Sequence, residues 1–374
     1  MKKVLIFYAS YGGGHLSAAK SIQTYIEEHY SDTEVQMVDC MKYINKTIER
    51  LTTGAYREMA KKAPKLWGKV YRDSQKGLIE KIGKDSNQLM ARKLGKLIHE
   101  LSPDIVISTH PFSSQMTSYL KKKGIVNCTL ATILTDFATH EQWLIGHEYT
   151  NFFFVSNDAM KEDMIQYGIE ANKIHVTGIP MSGRFLEQFD HDTVCELLEL
   201  DPKKKVILMF GGGEFGLGKE KTVQVLHSLI QYVPTYQIVA ISGKNEKMKE
   251  KFEKLVDELD ASSRVKVLGF TDKVPELMSI SSIVVTKPGG LTTTESLASG
   301  LPLIMINPIP GQEEENAEFL EGKGAGIWLR NKDNVDEVII KLFSEEEKIE
   351  KMKECVKSLA KKNATEEICK TLLQ

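Results

Sequence analysis

One pattern constrains this chain more than any other, and it occurs twice: an apolar run of strand length stops at a cluster of glycines and gives way to a helical pattern. The first instance is VLIFYAS followed by Tyr11-Gly12-Gly13-Gly14-His15, and the second is VILMF followed by Gly211, Gly212 and Gly213. Both runs are apolar throughout instead of alternating. That marks strands buried on both faces, as in parallel sheets covered by helices. EVQMVDC, DIVISTH, TLATILTDF, FFFVSND and IHVTGI continue the rhythm in the first half. QIVAIS, RVKVLGF, SIVVTK, PLIMIN and GIWL continue it in the second, with helical stretches such as 17–30 and 158–167 between strands. The expected fold class is α/β, with two Rossmann-like, doubly wound domains facing across a cleft. The expected bounds are 1–180 and 203–374, with a linker over 181–202; whether the last helix crosses back to the first domain is left open. The length of 374 residues suits two domains. Such sheets bind ligands at the carboxyl ends of their strands, so the loops after the strands are where chemistry is expected.

The short apolar run at the N-terminus follows two lysines, as in a signal peptide. It is only a strand long, however, and reads as the first strand. No apolar stretch approaches a membrane-spanning length. The five cysteines include no CxxC pair, which argues against a zinc knuckle or redox pair and for free thiols in a reducing cytoplasm. Net charge is −2, but it is unevenly spread: residues 42–99 hold 15 Lys and Arg against 5 Asp and Glu. Leu66, Trp67, Val70 and Tyr71 lie among the lysines there. The segment reads as an amphipathic insertion in the first domain. One reading is a solvated helical hairpin packed on the domain. The other, favoured, is a membrane-surface element using Lys61, Lys62, Lys65, Trp67, Lys69 and Tyr71 on anionic lipid. Nucleic acid is a poor fit, because no helix-turn-helix or RNP pattern is present.

His15 stands in the first turn of the helix that follows Gly13 and Gly14. The positive helix end there keeps an imidazole neutral, as a general base requires. Asp136, in Thr135-Asp136-Phe137, ends another strand of the same half. It is expected to orient His15, to touch an acceptor hydroxyl, or to make a turn. Trp143, with His140 and His147, is an acceptor contact or loop packing. Asp39 lies where NAD enzymes hold the ribose, but Tyr11–His15 is not a GxGxxG and a dinucleotide site is not expected.

The densest motif is TKPGGLTTTE, residues 286–295. Its glycines and helix start offer N–H groups to a diphosphate, Lys287 adds a cation, and Glu295 is placed to accept ribose hydroxyls. Pro288, Gly289, Gly290 and Thr292 belong to the same cradle. Gln312 and Glu313 start another helix and suit a sugar's hydroxyls. Lys244, in SGKN, and Phe270-Thr271, with backbone placed for a base edge, complete the loops of the second half. Asp190-His191-Asp192 spells a DxD metal signature, but in the expected linker, so no metal site is assigned.

Taken together, YGGGH, TDF, TGIP, GGG, SGKN, TKPGG…TTTES and PIPGQEEEN run in collinear order over nearly the whole chain. They resemble glycosyltransferase family 28, within it the diacylglycerol glucosyltransferases and monogalactosyldiacylglycerol synthases. The resemblance implies a GT-B fold, with an acceptor-binding first domain and a donor-binding second one. It implies an inverting, metal-independent transfer with no cofactor, from a UDP-sugar to diacylglycerol, by a peripheral enzyme at the cytoplasmic face of the membrane. Phe270 and Thr271 then hold uracil, and Gly13 and Gly14 line the acceptor side. Glucose is favoured over galactose as the sugar. The rivals are a UDP-N-acetylglucosamine 2-epimerase-like enzyme, which needs no acceptor, and a UDP-sugar sensor without turnover.

Overall fold

The computed structural model describes residues 1–10, 13–44, 84–212 and 219–374, without the side chains of 84–90, 219 and 346. Tyr11, Gly12, Gly213 and the expected membrane contacts Lys61, Lys62, Lys65, Trp67, Lys69 and Tyr71 lie outside the described residues. The chain forms two compact units. One holds Met1–Ser182, Pro310–Gln312 and Lys361–Gln374; the other holds Gly183–Ile309 and Glu313–Ala360.

In the first unit, β1 (Lys2–Tyr8), β2 (Thr33–Asp39), β3 (Ile105–Ser108), β4 (Thr129–Ile133), β5 (Phe152–Val155) and β6 (Ile174–Val176) form one parallel sheet in the order β2-β1-β3-β4-β5-β6. Its helices, in chain order, are α1 (Gly14–His29), α2 (Cys40–Ile44), α3 (Lys84–Leu101), α4 (Pro111–Lys122) and α5 (Asp158–Gln166). Both faces of β1 are covered, which is why its sequence is apolar without alternation. Leu5 and Phe7 pack with Ala91, Leu94 and Leu120 on one face. Val4 and Ile6 pack with Ala19, Ile22 and Ile26 on the other.

The second unit contains α6 (His191–Leu197), α7 (Lys219–Tyr232), α8 (Glu246–Glu258), α9 (Val274–Ile280), α10 (Gly290–Ala298), α11 (Gln312–Gly322), α12 (Val335–Ser344) and α13 (Glu346–Leu359), α11 joining it from Glu313 on. They flank β7 (Lys205–Phe210), β8 (Tyr236–Ile241), β9 (Val265–Leu268), β10 (Ser281–Thr286), β11 (Leu303–Met305) and β12 (Gly326–Trp328), all parallel, in the order β12-β11-β10-β7-β8-β9. The last helix, α14 (Ala364–Leu373), belongs to the first unit. It buries Ile368, Cys369, Leu372 and Leu373 beside Ile22 and Ile26, and Lys2 Nζ donates to the Leu373 carbonyl at 2.6 Å. The TGIP glycine serves this arrangement. Gly178 has φ +94, and a Cβ there would stand 2.4 Å from Lys361 Cβ.

Two parts of the chain differ from the sequence reading. Part of the expected insertion over 42–99 is core: Ala91, Leu94, Leu97 and Ile98 of α3 pack under β1. Most of the expected linker belongs to the second unit, since residues 183–202 lie there and carry α6. Asp190, the first residue of the DxD, caps α6 by accepting the Thr193 N–H at 2.9 Å, an ordinary helix start.

Candidate active site

In the first sheet the strand order reverses between β1 and β3, which are hydrogen-bonded neighbours. Loops that leave neighbouring strands in opposite directions open a crevice at their carboxyl ends. His15, in the helix after β1, and Thr109, directly after β3, meet there. His15 Nδ1 lies 2.6 Å from the Thr109 carbonyl oxygen and 3.1 Å from Thr135 Oγ1. Thr109 Oγ1 donates in turn to the His15 carbonyl at 2.9 Å. A carbonyl oxygen only accepts, so Nδ1 carries the ring proton and Nε2 keeps its lone pair. Burial lowers the pKa of His15 to about 4, and the Thr109 carbonyl opposes that only partly. The imidazole is therefore neutral near pH 7, with one nitrogen able to accept a proton.

Gly13 is the N-cap of α1, has no side chain to cap it, and the first turn bears no acidic residue. Gly14 opens the helix. Asp136 follows Thr135 and is buried; its carbonyl accepts the Ser156 hydroxyl at 2.9 Å, while Asn157 Nδ2 donates to the Phe137 carbonyl at 2.9 Å. The contacts on His15 Nδ1 thus come from Thr109 and Thr135, which the sequence reading had not singled out. Trp143 is part of the loop packing beside His15. It is 3% exposed and packs with Leu134, Leu144 and Phe153, its ring 6.3 Å from that of His15. Asp39 is occupied by its own neighbours: Ser10 Oγ donates to it at 2.5 Å and Lys42 Nζ lies 3.2 Å away.

The second unit repeats the geometry at β7 and β10, where its strand order reverses. After β7, Gly211 donates its N–H to the Ile241 carbonyl at 2.7 Å, and a Cβ there would fall 2.8 Å from the Phe252 ring. Gly212 turns with φ +91. After β10, Lys287 and Pro288 lead to Gly289, the N-cap of α10, which again offers no side-chain cap; Gly290, Thr292 and Glu295 lie in that helix. The loop is tied to α11. Lys287 Nζ donates to Glu313 Oε1 at 3.0 Å, Glu313 Oε2 accepts the Ile309 N–H at 2.7 Å, and the fully buried Asn316 donates to the Pro288 carbonyl at 3.0 Å. Gln312 begins α11 beside Glu313.

Glu295 is different from these paired groups. Its carboxyl has no partner among the described residues, and burial raises its pKa to about 8. A half-buried carboxyl left unsatisfied is costly unless something else donates to it. At the ends of β8 and β9, Gly243 turns with φ +61 and Lys244 Nζ stands 5.3 Å over the Phe270 ring, which is 72% exposed. Thr271 Oγ1 accepts the Lys273 N–H at 3.1 Å. No three His, Cys, Asp or Glu among the described residues converge as metal ligands.

The chain is similar to known proteins over its whole length. Residues 15–181 match the monogalactosyldiacylglycerol (MGDG) synthase family and 206–368 match the glycosyltransferase family 28 C-terminal domain. The chain is 30% identical over its whole length to the processive diacylglycerol beta-glucosyltransferases of Bacillus licheniformis and Bacillus subtilis, covering 95% of each. Among solved structures, Acinetobacter baumannii MurG aligns with a TM-score of 0.67 at 16% identity over 99% of both chains. The UDP-GlcNAc 2-epimerase of Neisseria meningitidis aligns at 0.65 and 18% identity over the whole of both chains. These structures show the GT-B fold, which transferases and epimerases share. The full-length relatives decide between the two: the chain is a glycosyltransferase and belongs to family 28, alongside the diacylglycerol beta-glucosyltransferases.

Proposed function

We propose that the chain transfers a hexose, glucose in preference to galactose, from a UDP-sugar to diacylglycerol, with inversion and without a metal ion. The observation that carries the mechanism is His15, a neutral imidazole whose Nδ1 is held by the Thr109 carbonyl while Nε2 keeps its lone pair. As the acceptor hydroxyl attacks C1 of the sugar, Nε2 takes its proton, the C1–O bond to the diphosphate breaks, and UDP leaves with the electron pair. The attacking and leaving oxygens lie on opposite faces of C1, which inverts the centre.

In the second unit, Glu295 accepts the ribose hydroxyls, and these satisfy a carboxyl that has no partner among the described residues. Phe270 offers an exposed ring for uracil, with Thr271 beside it. The backbones of Gly211 and Gly212, together with Pro288, Gly289, Gly290 and Thr292, cradle the diphosphate. The uncapped start of α10 and Lys287 offset the charge that builds on UDP, the task a metal performs in other transferases. Lys244 adds a cation near the base, and Gln312 and Glu313 meet the hexose. In the first unit, Gly13 and Gly14 line the acceptor side. The test is mass spectrometry of glycolipid formed from diacylglycerol with UDP-glucose or UDP-galactose, with and without EDTA. Hexosyl-diacylglycerol from UDP-glucose in EDTA is expected. Donor hydrolysis or epimerisation without glycolipid would overturn the reading, and activity lost to EDTA and restored by magnesium would overturn the metal-free part.

The acceptor is a membrane lipid, and no helix among the described residues is long and apolar enough to cross a membrane. We place the protein at the cytoplasmic membrane surface, docked through the basic segment. The measurement is sedimentation with phosphatidylglycerol and phosphatidylcholine vesicles. Binding is expected to favour the anionic vesicles and to weaken with salt, and changing Lys61, Lys62, Lys65 and Lys69 to Glu should abolish it without affecting UDP binding. Equal binding to both vesicles would remove the docking role.

A further inference from the structure

His110 has no part in the mechanism above, yet its ring meets that of His15 edge to face, with centroids 4.7 Å apart and planes at 80°. It is held at both ends. Its carbonyl accepts the hydroxyls of Ser108 at 2.8 Å and Ser113 at 3.0 Å. Its Nδ1 accepts the Phe112 N–H at 3.2 Å and so caps α4. A ring whose Nδ1 accepts carries its proton on Nε2. To become charged it would have to give up the cap and leave a helix N–H without its partner. Two imidazoles this close oppose a second positive charge, and burial acts in the same direction: His110 is held well below the ordinary histidine range, first by burial and then by His15.

We propose that His110 is a positioning residue for His15: anchored by its cap and carbonyl, it packs against the catalytic ring, keeps Nδ1 on the Thr109 carbonyl, and stays uncharged while His15 gains a proton. This rests on His15 being the base. Rotation of the His15 ring would put a carbon against the Thr109 carbonyl and lose the 2.6 Å contact, and the His110 ring, 4.7 Å away centroid to centroid, is the aromatic neighbour that such a rotation would disturb. The other groups on the surrounding segments are Thr135 and Trp143, which are uncharged, the buried Asp136 carboxylate, which accepts from Gln312 Nε2 at 3.4 Å, and His140, which burial also pushes down to about 4.

The experiment is the pH profile of kcat/KM with diacylglycerol and UDP-glucose for His110→Asn and His110→Phe, with UDP affinity measured alongside. Asn still caps a helix, so α4 keeps its start, but the ring is gone and water fills its place. In His110→Asn we expect UDP affinity unchanged, turnover near pH 8 lowered about ten-fold, and the acid limb moved up from near pH 4 toward the ordinary histidine value of about 6.5. His110→Phe loses the cap but keeps a ring, and its acid limb should stay where the wild type has it. A loss of stability alone would lower activity without moving the limb. The proposal is overturned if His110→Asn keeps the wild-type limb, or if both variants move it equally. His15→Ala separates this from failure of the underlying reading. Wild-type turnover in that variant would remove the base itself, whereas an inactive His15→Ala beside an unshifted His110→Asn removes only the positioning role.

Discussion

The two units use one device to different ends. Each is a six-stranded parallel sheet whose strand order reverses once, between β1 and β3 in the first unit and between β7 and β10 in the second. Each places a helix with a glycine N-cap and no side-chain cap at that reversal, α1 after Gly13 and α10 after Gly289. What the loops carry differs. In the first unit neighbours fix the rings: His15 Nδ1 is held by Thr109 and Thr135, and His110 caps its own helix. In the second, Lys287 and Glu313 brace the loop while Glu295 and the exposed Phe270 are left for something else to meet. A group that must accept a proton at a set moment gains from neighbours that fix its tautomer and orientation. A group that must bind a polar ligand gains from being unsatisfied until the ligand arrives. The fold supplies the position, and the neighbours decide whether it serves chemistry or binding.

The sharpest way to break this comparison is His15→Ala. If the first unit serves chemistry alone, turnover should fall by roughly 10²–10⁴-fold, the usual cost of losing a general base, while calorimetry shows UDP affinity unchanged. Weakened UDP binding in that variant would mean the two units do not divide the work in this way.

Much of the fold was legible in advance, because a strand buried on both faces is written as an unbroken apolar run; each of the twelve runs read as strands overlaps one of β1 to β12. His15 and Lys287 stand out in the sequence because they lie beside glycines at strand ends, and Glu295 because it lies about one turn into the helix that follows. Thr109 and His110 do not. Their contact with His15 spans more than ninety residues and exists only because β3 lies next to β1, a fact of strand order that no local spacing encodes. Asn316, which holds the Pro288 carbonyl, escaped for the same reason. The core role of α3 was hidden by its lysines, which left the apolar stripe of Ala91, Leu94, Leu97 and Ile98 reading as part of a basic insertion.

A smaller effect is expected from Glu295→Ala. Hydrogen bonds to a charged group contribute about 1.5–3 kcal/mol, so UDP affinity should fall about 10- to 100-fold by calorimetry, with the fold intact. Unchanged affinity would remove the ribose from this helix and with it the contrast between the units.

The subtlest test concerns the proton on Glu295. Its pKa of about 8 in the free protein means the carboxyl is mostly protonated at pH 7, because burial penalises the charged form. Ribose hydroxyls that donate to it favour the carboxylate and pull that pKa down. UDP binding near pH 7 should therefore release close to one proton, and affinity should rise with pH until about 8. The sign for stability is the opposite. With a folded pKa above the usual carboxyl value, the proton stabilises the fold, and stability contributed by this group falls as pH rises from about 4.5 through 8. Glu295→Gln should abolish the proton release and flatten that part of the stability profile. Calorimetry at pH 7 in two buffers of different ionisation enthalpy reads the proton count directly. A count of zero in the wild type, or the same count in Glu295→Gln, would mean that the ligand does not complete this carboxyl, and the contrast between the two units would be lost.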